Sequence, residues 1–129
     1  MKLLLDTHIW LWLLQSPYKI GPHTSKVLAE PASELWLSPI STWEALRLHR
    51  KGKIYLADDL TAWLRSALGG IQKYAPLTHE IAFAAEQLDL HDDPADRFLA
   101  ATAQVLDLTL VTADTRLLGL GTIRTLGNR

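Results

Sequence analysis

The chain has 129 residues, of which 48% are apolar and 21% charged. That usage is ordinary for a globular domain and excludes wholesale disorder. Lys and Arg number 13 against 14 Asp and Glu, a formal net charge of -1, and there is no cysteine. A uniformly basic nucleic-acid coat, a disulfide framework, a thiolate nucleophile and a Cys-based zinc site are therefore excluded.

In chain order, Lys2–Leu5 is expected to be a short buried strand that stops at Asp6, followed by a helix over Ile9–Gln15 that ends at Ser16-Pro17. The apolar stretch through Leu14 is too short to span a bilayer, is broken by Asp6 and lacks a small-residue cleavage site, so no membrane association and a cytoplasmic location are expected. Thr24–Glu30 reads as a helix, Leu35–Ser38 as a strand, and Ser41–Lys51 as a helix stopped by Gly52. Leu60–Leu68 is helical up to Gly69-Gly70, and Tyr74–Leu77 is a third strand. Thr78 caps a helix running to Leu90, and Pro94 opens a helix over Ala95–Leu106. Leu108–Val111 is a fourth strand, Thr115–Leu118 a turn of helix, and Ile123–Leu126 a last strand. Strands alternating with helices imply parallel pairing, so a three-layer α/β/α domain with four or five parallel strands is expected. No linker and no repeat divides residues 1–129, which reads as one domain.

The acids are informative by position. Asp6 and Asp114 follow strands, while Glu44 and Asp96 are expected in the first turns of helices. In an open α/β sheet these places share one edge, where ligands bind. Four converging negative charges call for a cation, and oxygen-only donors favour Mg²⁺ or Mn²⁺ over zinc. Each acid also has a plainer explanation. Asp6 and Asp114 can cap the helices after them, Asp93 and Asp96 can form a capping box, and Glu44 can favour a helix dipole. Capping suits Glu44 poorly, since Ser41 already offers a cap there. Asp92 and Asp93 are expected to do no more than cap or face solvent. His8 is close enough to Asp6 to touch a site, whereas His23, His49, His79 and His91 show no metal-binding spacing. Thr7 and Thr112 are placed to orient a carboxylate.

Arg47, His49, Arg50, Lys51 and Lys53 form the one dense basic cluster, and it begins a turn beyond Glu44. Arg47, Arg50 and Lys51 can carry a phosphate backbone towards the acidic edge, or they can complement the C-terminal end of their own helix. Arg97, beside Asp96, can hold a phosphate or partly offset the acids. Trp10 and Trp12 cannot both face inward from one helix, so one of them is expected to be exposed as a partner surface.

The motifs Leu3-Leu4-Leu5-Asp6-Thr7-His8, Ser38-Pro39-Ile40-Ser41-Thr42-Trp43-Glu44, His91-Asp92-Asp93-Pro94-Ala95-Asp96-Arg97 and Leu110-Val111-Thr112-Ala113-Asp114 occur in that order over almost the whole chain. In this combination the sequence resembles the PIN-domain ribonucleases, and among them the VapC-type toxins of bacterial toxin–antitoxin pairs. The resemblance implies a parallel sheet between helices and an acidic quartet that binds Mg²⁺ or Mn²⁺ and cleaves RNA. By motif that quartet is Asp6, Glu44, Asp96 and Asp114, with Asp114 at the variable position. It also implies a homodimer and a cognate antitoxin partner. The alternative is a PIN-like module that binds RNA or protein without cutting. An aspartyl-phosphate phosphatase would need a second acid where His8 stands, and a receiver domain would need a lysine within Val111-Thr112-Ala113, which has none.

Overall fold

The computed structural model describes residues 1–129. Five strands, β1 (Lys2–Leu5), β2 (Glu34–Leu37), β3 (Lys73–Tyr74), β4 (Thr109–Thr112) and β5 (Arg124–Gly127), form one sheet in the order β3-β2-β1-β4-β5. Every pairing is parallel, with Leu3 opposite Leu35 on one side and Leu4 opposite Leu110 on the other. Seven α-helices complete the fold: α1 (Thr7–Gln15), α2 (Pro22–Ala29), α3 (Pro39–Arg50), α4 (Leu60–Ala67), α5 (His79–Gln87), α6 (Pro94–Val105) and α7 (Thr115–Leu118).

The three layers follow from alternation along the buried strands, whose successive side chains point to opposite faces. Leu3 and Leu5 of β1 enter a core with Ile9, Trp10, Val27, Leu37, Ala45 and Ala67, beneath α1 to α4. Leu4, between them, enters a separate core with Ile81, Ala85, Leu99, Leu110 and Leu117, beneath α5 to α7. No helix is long and apolar enough to cross a membrane.

The chain order also creates a crevice. From central β1 the chain moves outward to β2 and β3, then crosses back to β4 and β5 on the other side. The loops leaving β1 and β4 therefore diverge, and the space between their carboxyl ends is the place where open α/β sheets bind ligands.

Several element ends differ from the sequence expectation, each for a local reason. Helix α3 starts at Pro39, and its cap is Ser38, whose Oγ accepts the Ile40 N–H at 3.1 Å; Ser41 is buried inside the helix. Glu44 therefore lies beyond the first turn, and the helix-dipole explanation for it fails. Strand β3 is only Lys73–Tyr74: the Ala75 N–H still donates to the Leu37 carbonyl at 2.9 Å, but Pro76 has no N–H to continue. Helix α5 ends at Gln87, three residues before the expected Leu90, because Leu88 turns to extended backbone. The freed carbonyls there are taken up by Arg97. Of the paired tryptophans, Trp10 is buried and Trp12 half-buried, so neither is the exposed one; Trp43 is, at 46% exposure.

Candidate active site

Asp6 leaves β1 at the N-cap position of α1, yet its side chain makes no capping hydrogen bond. The carboxylate turns into the crevice instead and is 6% exposed. Its Oδ2 accepts the Thr112 hydroxyl at 2.6 Å, and its backbone N–H donates to the Val111 carbonyl at 3.0 Å. Thr112 Oγ1 in turn accepts the Asp114 N–H at 3.0 Å, so one hydroxyl ties the ends of β1 and β4 together. No Lys or Arg reaches ion-pair distance of Asp6. Burial, reinforced by the Asp96 carboxylate, raises its pKa above the ordinary aspartate value despite the Thr112 bond.

Thr7 secures α1 to α3: its hydroxyl and that of Ser41 share a hydrogen bond of 3.0 Å within the protein interior. That contact fixes the face of α3 from which Glu44 enters the crevice. Burial raises the Glu44 pKa, a Thr7 hydroxyl hydrogen bond opposes the rise, and the charges of Asp6 and Asp93 add to it.

Asp96 comes from the first turn of α6 and is 9% exposed. Its N–H is capped by Asp93 Oδ1 at 3.1 Å, but its carboxylate does not reach back to complete the box. Oδ2 instead meets His91 Nε2 at 2.6 Å. Burial raises the Asp96 pKa, and the His91 bond only partly offsets this. His91 was not distinguishable by metal spacing. Its signal in the sequence is its place just before a proline-opened helix, where the chain must fold back across the first turn.

Asp114 differs from the other three. It caps α7, accepting the Arg116 N–H on Oδ1 at 2.8 Å, and it binds the Arg116 guanidinium through Nε at 3.3 Å and Nη2 at 2.9 Å. The bonds from Arg116 hold its pKa below the ordinary value. All four predicted acids thus line one cleft of about 270 Å³, joined by Asp93, His8, Trp12 and Arg116. The acids ring this cleft; no three of them close around a single point.

A second cleft of about 300 Å³ adjoins the first and shares Glu44 and Asp93 with it. Arg47, Lys51, Lys53 and Trp43 line it, and the Arg47 guanidinium stacks 5.1 Å from the centre of the Trp43 ring. Arg50 is exposed but does not line this cleft. His49 is structural, with Nδ1 accepting the Leu56 N–H at 3.1 Å. Arg97 does not face a ligand either. Its guanidinium donates to the carbonyls of Ala85 at 2.8 Å, Leu88 at 3.2 Å, His91 at 3.0 Å and Leu90. The guanidinium that does enter the acidic cleft, that of Arg116, has no counterpart in the sequence expectation.

Comparison with known proteins now adds to this geometry. The family model described as "PIN domain" matches residues 3–121, a span that includes Asp6, Glu44, Asp96 and Asp114. The chain belongs to the PIN-domain family. This PIN domain is 33% identical over 116 residues to Ribonuclease VapC22 of Mycobacterium tuberculosis (strain ATCC 25618 / H37Rv), covering 88% of each chain, and so stands with the VapC-type members. Among solved structures it is similar to a chain of VapBC2 from Rickettsia felis bound to a DNA fragment from their promoter, with TM-score 0.74, 17% identity and 98% of both chains covered. It is likewise similar to a chain of DNA-bound VapBC from Salmonella typhimurium, with TM-score 0.75, 18% identity and coverage of 100% of this chain and 99% of that one. At such identities the likeness is one of fold: a three-layer α/β/α PIN architecture around a five-stranded parallel sheet.

Proposed function

We propose that this PIN domain is a metal-dependent endoribonuclease and the toxin of a toxin–antitoxin pair. Support comes from its relative, named a ribonuclease, and from the VapBC structures in which a chain shares its fold. The observation that carries the catalytic part is Asp6, a buried carboxylate with one hydrogen-bond donor and no cation, facing a second buried carboxylate, Asp96. Two buried carboxylates side by side are costly to keep charged, and a cation held between them would offset both. The donors are hard oxygens in an open arrangement. Mg²⁺ keeps several of its waters and takes only one or two protein carboxylates, so this set suits Mg²⁺ or Mn²⁺ without a closed cage.

In this reading Asp6 and Asp96 are the main ligands, Glu44 completes the site directly or through water, and Asp114 closes its outer wall. A bound Mg²⁺ or Mn²⁺ would lower the pKa of water and offset charge on the phosphodiester. Thr112 and His91 hold the Asp6 and Asp96 carboxylates in place by donating to one oxygen of each, which leaves the other oxygen free. Arg47 and Lys51, with Lys53, bind the RNA backbone where the second cleft opens beside Glu44, and exposed Arg50 extends the positive surface. A cognate antitoxin and a second copy of the chain are the proposed protein partners.

The test is cleavage of RNA by purified, antitoxin-free protein with Mg²⁺ or Mn²⁺, with chelator, and with Asp96→Asn. Cutting that needs the metal and is lost in Asp96→Asn is expected. A folded protein that neither binds Mn²⁺ nor cuts RNA would instead be a binding module.

A further inference from the structure

We infer that Arg116 is a catalytic residue that contacts the scissile phosphate, and that Asp114 is the residue that positions it rather than a metal ligand. The inference rests on the nuclease reading above and divides the four acids three to one.

The division is visible in the hydrogen bonds. Asp6 accepts one side-chain donor, from Thr112, and Asp96 accepts one, from His91, besides lying 3.8 Å from Arg116. Asp114 accepts three bonds, all from Arg116: the backbone N–H and Nε on Oδ1, and Nη2 on Oδ2. A carboxylate offers about four lone-pair sites, so Asp114 has little left for a cation.

The guanidinium shows the complementary pattern. The Nε–Nη2 edge is spent on Asp114, whereas Nη1 has no partner. The group borders the acidic cleft, where Nη2 also lies 3.8 Å from Asp96 Oδ2, and the side chain is 60% exposed, so a substrate can reach it. Arg116 is the one Lys or Arg lining that cleft. A phosphodiester entering among carboxylates is repelled unless a cation meets it. A guanidinium presents two parallel donors matched to two phosphate oxygens, and a lysine ammonium does not. Held by Asp114, the fork is oriented before the substrate arrives, the condition under which such donors act most strongly as charge builds on the phosphate.

The experiment compares wild type, Arg116→Ala, Arg116→Lys, Asp114→Asn and the Asp114→Asn/Arg116→Ala double variant. Single-turnover RNA cleavage is measured beside binding of Mn²⁺ alone by calorimetry. Both single losses are expected to slow cleavage about 100-fold while Mn²⁺ affinity stays within about twofold. Arg116→Lys should not rescue, and the double variant should be no slower than Arg116→Ala, because the two groups act as one unit. Mn²⁺ affinity lost in Asp114→Asn, as in Asp6→Asn, would make Asp114 a ligand and overturn the assignment. Wild-type rates in Arg116→Ala would overturn it equally, with the nuclease reading intact. A wild type that binds Mn²⁺ but cuts no RNA would overturn the nuclease reading itself, and the role of Arg116 with it.

Discussion

Asp6 shows how a single residue sets stability against chemistry. Burial makes its charged form unfavourable, and the nearest charge that matters is another carboxylate. With its pKa raised in the folded state, the native protein holds the proton over a pH range in which the unfolded chain has already lost it. Stability contributed by this group is therefore present at low pH and lost as pH rises through the folded pKa. Metal-free protein should melt at a higher temperature in mildly acidic than in neutral buffer by this contribution, and Mg²⁺ should restore stability at neutral pH. Asp6→Asn should raise metal-free stability by about 1 kcal/mol and flatten that dependence, as calorimetric melting would show. His91 acts through Asp96 across a 2.6 Å contact. His91→Ala should weaken Mn²⁺ binding roughly tenfold or more, the usual cost of losing such a supporting group, measured by titration at constant pH. The acids themselves were legible because strand ends and helix starts can be read from apolar runs and from Pro94. Their partners were not. Asp114 and Arg116 are two apart, a spacing that diverges on a helix, and they meet only because Asp114 sits outside α7 as its cap.

Elements, rather than single residues, decide where the loop carrying His91 lies. Adjacency to Asp96 makes Arg97 a candidate to hold a phosphate or offset the acids, but consecutive helical side chains lie about 100° apart. Its guanidinium turns away from the cleft and gathers four carbonyls from the end of α5 and the segment after it. These are the acceptors that a terminating helix leaves without partners, and α5 and α6 are held together through them. The loop from Leu88 to Asp93 has almost no apolar anchor of its own beyond Leu88 and Leu90. Arg97→Ala should therefore cost about 3 kcal/mol in denaturant unfolding, since bonds to a charged donor are worth about 1.5–3 kcal/mol each and are not additive. It should also loosen His91 from Asp96, so that hydrogen exchange quickens in the loop before it does in β1 or β4. Arg97→Lys should recover little, because an ammonium cannot span acceptors that a planar fork reaches together.

At the scale of the whole molecule, a net charge of -1 conceals a sharp separation. Four acids and Asp93 occupy one cleft with Arg116 as its one cation, while Arg47, Lys51 and Lys53 occupy its neighbour, with Glu44 and Asp93 as the shared wall. A single strand lying across both would have its backbone held on the basic side and one phosphodiester presented to the acids. The basic run was legible in the sequence; its division into residues that line the cleft and residues that do not was not, because that depends on how α3 is rotated against α6. Exposure of Trp43 beside Arg47 was equally hidden, since an aromatic in an amphipathic helix reads as core. Each phosphate contact to a single strand steepens the salt dependence of binding by about 0.7 in logarithmic slope, so each cation removed flattens it by as much. Arg47→Ala and Lys51→Ala should each flatten the slope by that amount, and Arg50→Ala should change it less, in fluorescence anisotropy titrations of catalytically silent Asp96→Asn protein. Trp43→Ala should weaken binding by about 1–3 kcal/mol, as for a base stacked on an aromatic ring, without altering the slope. Loss of affinity with an unchanged slope separates stacking from charge, and the opposite pattern would assign Trp43 to supporting Arg47 instead.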